Sequence, residues 1–94
     1  MYRVTLFCDG LPASAGADAA RDIEKEFAEH RNWHSRVSCR WDGFRLTLCS
    51  DNDFDENGLA TRDEFSDCLA THVASYEGAK ITIESISPIE NENT

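Results

Sequence analysis

Apolar side chains in the first eight positions fall on every second residue: Tyr2, Val4, Leu6 and Cys8 alternate with Arg3, Thr5 and Phe7. A period of two predicts a strand with one face buried. After small and turn residues from Asp9 to Gly16, Ala20, Ile23, Phe27 and His30 recur at helical spacing over 17–31, with Asp18, Asp22, Glu26 and Glu29 elsewhere. The segments 35–41 and 44–50 flank Asp42-Gly43, which predicts a type I′ hairpin because both central positions of that turn need positive φ. Such a turn pairs Trp41 with Phe44, Cys39 with Leu46 and Val37 with Leu48, so the apolar residues share one face and Arg40 stands opposite Arg45. Thr61-Arg62-Asp63-Glu64 has the form of a capping box, predicting a second helix with Phe65, Cys68, Leu69 and Val73 inward and Gly78 closing it. Lys80 to Ser87, with Ile81 and Ile83 inward, predicts a last strand that Pro88 ends.

The order is therefore β-α-β-β-α-β, and an internal repeat supports it independently. Sliding residues 2–41 onto 44–83 matches Arg3 to Arg45, Thr5 to Thr47, Leu6 to Leu48, Asp9 to Asp51, Gly16 to Gly58, Ala28 to Ala70 and His30 to His72. Two β-α-β halves related by a pseudo-two-fold resemble the ferredoxin-like split βαβ fold. With right-handed crossovers, that α+β fold implies a four-stranded antiparallel sheet ordered 4-1-3-2, with two helices on one face. A length of 94 residues holds one such domain over 1–88, leaving a polar tail at 89–94.

No apolar run is long enough to span a membrane, and the amino terminus lacks a basic region followed by an apolar stretch. Four cysteines, at 8, 39, 49 and 68, form no CxxC pair. Both features lead us to expect a cytoplasmic protein with reduced thiols.

Candidate chemistry is sparse. Asp51, Asp53, Asp55 and Glu56 begin like a calcium loop, but Glu56 stands where a glycine is needed and Arg62 where a bidentate Glu is needed, so no metal is expected. His30 and His72 close equivalent helices, which the pseudo-two-fold predicts to be too far apart to share a ligand. No Cys-His or Ser-His-Asp arrangement can be placed and no Gly-rich phosphate loop occurs, including the Arg-bearing loop of acylphosphatases, which share this fold and length. Neither catalysis nor a cofactor is expected. Arg3, Arg40 and Arg45 share the open sheet face with Phe7, the face on which RNA-recognition modules stack bases. A lone aromatic and a formal charge of −9 argue against nucleic acid as a direct ligand.

The remaining lead is the acidity, 18 Asp and Glu against 9 Lys and Arg. Asp22, Glu26 and Glu29 on the first helix, with Asp51, Asp53, Asp55 and Glu56 on the second long loop, are the candidate contacts for a basic partner. In size, acidity and lack of catalytic motifs the chain resembles small phage-encoded inhibitors, among them anti-CRISPR proteins, several of which act as DNA mimics. That resemblance implies an inhibitor that occludes a basic nucleic-acid-binding surface of a larger protein. The alternative is a homodimeric regulatory or ligand-sensing module that uses Arg3, Arg40 and Arg45 on the sheet face. A small enzyme dependent on Cys49 or a His is the third reading.

Overall fold

The computed structural model describes residues 1–73 and 78–89, and its elements are β1 (Tyr2–Asp9), α1 (Ala13–His30), β2 (Ser35–Trp41), β3 (Arg45–Asn52), α2 (Leu59–His72) and β4 (Lys80–Pro88). The strands form one antiparallel sheet in the order β2-β3-β1-β4, the predicted order counted from the other edge. This is an α+β, ferredoxin-like arrangement. Val4, Leu6 and Cys8 of β1, Leu46 and Leu48 of β3 and Cys39 of β2 form one buried cluster with Ile23 and Phe27 of α1 and Phe65, Cys68 and Leu69 of α2. Burying Phe27 and Phe65 completely stabilises the fold by about 2–3 kcal/mol each. The helices run antiparallel: Arg31, just past α1, reaches Glu64 in α2, while His72 at the end of α2 lies beside Glu26.

Several local expectations are corrected. The hairpin pairs Trp41 with Leu46, Arg40 with Thr47 and Cys39 with Leu48, a slip of two residues from the predicted register. Its central residues are Gly43 and Phe44, closed by Asp42 N donating to Arg45 O at 3.2 Å. Positive φ falls on Gly43 (108°) and not on Asp42, the pattern of a type II′ turn rather than type I′. Two forces select this register. The Asp42 carboxylate accepts from the N–H groups of Phe44 and Arg45 at 3.1 and 2.8 Å, and Arg40 avoids facing Arg45.

Helix α1 begins four residues earlier than predicted, because Pro12 (φ −58°) occupies the position before its first turn and Ala15 N bonds Pro12 O. Gly16, which reads as a turn residue in the sequence, lies inside α1, where a Cβ would overlap the Trp41 indole. It is a close-packing position. Helix α2 ends at His72, with Val73 extended and bonded to Leu69 O, so Gly78 does not close it. Residues 74–77 and, apart from Ile89, the polar tail lie outside the described residues.

Strand β4 carries a register shift between its partners Thr5 and Leu6, leaving Glu84 as the extra residue of a bulge. The spacing Ile81, Ile83, Ile86 requires it, since a regular strand would turn Ser85 to the core and Ile86 away. The strand continues through Pro88, which pairs with Tyr2, one residue further than predicted; as β4 is an edge strand, a missing N–H is tolerated there.

Candidate functional site

The loop between β3 and α2 gathers carboxylates, and the structure divides them into two kinds. Asp51 is fully buried, and its two oxygens accept from Nε and Nη2 of Arg3, directly across the ladder, at 3.0 and 3.1 Å. Asp55 is buried as well. Its carboxylate accepts from the N–H of Ala60 at 3.2 Å, the N–H of Thr61 at 2.8 Å and the hydroxyl of Thr61 at 2.6 Å, satisfying open donors of the first turn of α2. Asn52 completes the turn by accepting from Phe54 N and Asp55 N. Asp51 and Asp55 therefore hold the fold together and are withdrawn from any docking surface, whereas Asp53 and Glu56 are exposed. Among the described residues no group of three or more His, Cys, Asp or Glu is placed to hold a metal.

The predicted capping box does not form. Thr61 lies in the third helical position and bonds Asp55, with Gly58 (φ 77°) before the helix. Glu64 is drawn away by groups from the α1–β2 connection. It accepts from Arg31 Nη1 at 3.2 Å and Trp33 Nε1 at 3.0 Å, and its other oxygen lies 2.6 Å from His34 Nε2. The buried His34 ring then meets Ser50 Oγ through Nδ1 at 3.3 Å.

Sequence reasoning missed this cluster because His34 sits in a short connection without periodicity; the run Asn32-Trp33-His34, aromatic but in a loop, was the available signal. Ser50, His34 and Glu64 carry the groups of a nucleophilic triad. Ser50 is completely buried, however, so its hydroxyl is sealed from solvent, and the chain ties β3, the connection and α2 together.

On the sheet face the arginines are engaged. Arg3 grips Asp51, which holds its guanidinium pKa above the ordinary value through that hydrogen bond. Arg45 bonds Asp9 through Nε at 2.9 Å, raising its pKa in the same way, and stacks 4.2 Å from the centre of the Phe7 ring. Arg40 is exposed opposite Thr47. The four cysteines are free. Burial pushes the Cys39 thiol up to about 12, with the Glu24 carboxylate adding to it, and pushes Cys8 to about 11. Neither is a ready nucleophile at neutral pH.

The helix-one carboxylates share a surface. Asp22, Glu26 and Glu29, at helical spacing, line one groove of about 310 Å³ together with Lys25, His30 and His72. His72 Nε2 lies 3.6 Å from Glu26 Oε1. His30 and His72 thus border the same groove, His72 beside Glu26 one turn before the end of α1. At the end of the molecule where α1 finishes, Trp33 (49% exposed) and Phe54 (48%) flank the His34 ring at 6.1 and 6.0 Å. Two half-exposed aromatics, one of them on the loop that also carries the exposed Asp53 and Glu56, have the composition of a contact anchor. Compared with known proteins, the chain matches no protein-family model and no curated sequence.

Proposed function

We propose that this protein is a non-catalytic inhibitor that docks its acidic α1 face and β3–α2 loop onto a basic, nucleic-acid-binding surface of a larger protein and occludes it, in the manner of a DNA mimic. The observation that carries the reading is the convergence of Asp22, Glu26 and Glu29 on one groove. Asp53 and Glu56 are exposed on the β3–α2 loop and add to the negative surface, and the half-exposed Trp33 and Phe54 supply apolar anchors. A net charge of −9 steers such a protein towards a cationic groove and makes association salt-sensitive. Arg3 and Arg45 are already paired with Asp51 and Asp9, which removes two of the three cations that a sheet-face anion site would use.

The test has two steps. A tagged pull-down at about 0.05 M and 0.5 M salt identifies a partner whose retention falls as charges are screened. The nucleic-acid affinity of that partner is then measured with the wild type and with Asp22→Lys/Glu26→Lys/Glu29→Lys. The wild type is expected to displace nucleic acid and the variant to lose displacement while remaining folded; a variant that competes as well as the wild type refutes the reading.

A further inference from the structure

The two edges of the sheet are treated differently. An edge strand presents unpaired N–H and C=O groups that can template another strand. On β2 that edge is interrupted: Glu24 of α1 reaches over and accepts from Cys39 N at 3.0 Å. The pairing of β2 also breaks between Ser35 and Ser38, where Arg36 takes a positive φ of 51°. On β4 no side chain caps an outer backbone group among the described residues. The bulge at Glu84 and the imide of Pro88 blunt its second half and leave open the stretch that is regular from Lys80 to Ile83 and ends at Glu84.

That stretch is complementary to itself. Antiparallel pairing about a two-fold at Thr82 sets Ile81 opposite Ile83 of the second copy on the helix side, where both isoleucines are only half buried. On the other side it sets Lys80 opposite Glu84 of the second copy, twice, and Thr82 opposite Thr82. Lys80, Thr82 and Glu84 are all exposed, and neither charge makes an ion pair among the described residues. A two-fold at Glu84 would instead oppose two carboxylates, and one at Ile81 or Ile83 would leave Lys80 and Glu84 without each other. We infer that two copies of this chain pair through β4, in register about Thr82, to make one continuous eight-stranded sheet.

Light scattering after size exclusion, at moderate salt where repulsion between two copies of charge −9 is screened, tests this directly. The wild type is expected to approach twice the 10.6 kDa of one chain as its concentration rises. Lys80→Glu and Glu84→Lys, each at an exposed position and each checked for an unchanged circular dichroism spectrum, are expected to weaken self-association roughly tenfold or more. Mixing the two variants restores opposite charges across the edge and is expected to recover the dimer as a mixed pair. A wild type that stays at one chain mass throughout overturns the inference. So does a dimer that persists in both single variants, since another face would then hold it.

Discussion

The two ends of the β1–β3 ladder begin from the same pair of residues and finish in different environments. The internal repeat relates Arg3 to Arg45 and Asp9 to Asp51, and the antiparallel register crosses them, so that Arg3 meets Asp51 at one end and Arg45 meets Asp9 at the other. At the first end the Asp51 side chain is fully buried, with Ser35 Oγ donating to its backbone carbonyl and Arg36 Nε 4.0 Å from its carboxylate. At the second end the Asp9 side chain keeps 41% of its surface in water. The pairing rule is symmetric and the burial is not. Burial is set by what passes each end: the start of β2, at Ser35 and Arg36, lies against Asp51, whereas the opposite end holds the tight Gly43-Phe44 turn.

Equal substitutions at the two ends should therefore have unequal effects. Asp51→Ala is expected to cost most, about 2–3 kcal/mol by urea unfolding, short of the full penalty for stranding a buried charge because Arg3 stays partly in water. A loss under about 1 kcal/mol would show that the Asp51 end is no more dependent on its ion pair than the other. Asp9→Ala is expected to cost about 0.5 kcal/mol, as for an exposed pair, and to be sensitive to salt.

The smallest effect belongs to Asp42, exposed beside Arg45. The N–H of Phe44, then that of Arg45, hold its carboxyl below the ordinary value of 3.8. A pKa depressed in the folded state gives stability that is present above 3.8 and lost as pH falls through the folded value. Asp42→Ala should therefore lower stability slightly at neutral pH, leave it unchanged at the acid extreme where the contribution is already lost, and so flatten the acid limb of the stability–pH curve. An identical acid limb would mean that the turn does not depend on this carboxylate.

The sequence made the strand order, the helix-one acidic face and the inner faces legible, because each rests on a period that burial enforces; the exception is Phe44, expected on the inner face and 70% exposed in the turn. It left the hairpin register open for a physical reason: a slip of two residues keeps every side chain on its own face, so the apolar pattern around Trp41 and Leu46 cannot tell the two registers apart. The like charges on Arg40 and Arg45 were the available discriminator. For the candidate site, Asp22, Glu26 and Glu29 were legible as one helical face, while Asp51 and Asp55 could not be separated from Asp53 by composition. Their inward orientation depends on Arg3, 48 positions earlier, and on Thr61, six positions later. His34 and Glu64, 30 positions apart, form a contact with no local signal at all.

The hydrogen bond from Cys39 N to Glu24 also bears on how many copies an assembly can hold. A sheet with two open edges can add molecules at both ends without limit, and its natural product is a fibre. With β2 interrupted at Cys39 and at Arg36, β4 is the one regular edge among the described residues, and a self-complementary edge is satisfied by one other copy around a two-fold axis. The Glu24 carboxylate on α1 thereby favours a finite pair over open-ended growth in any pairing through β4.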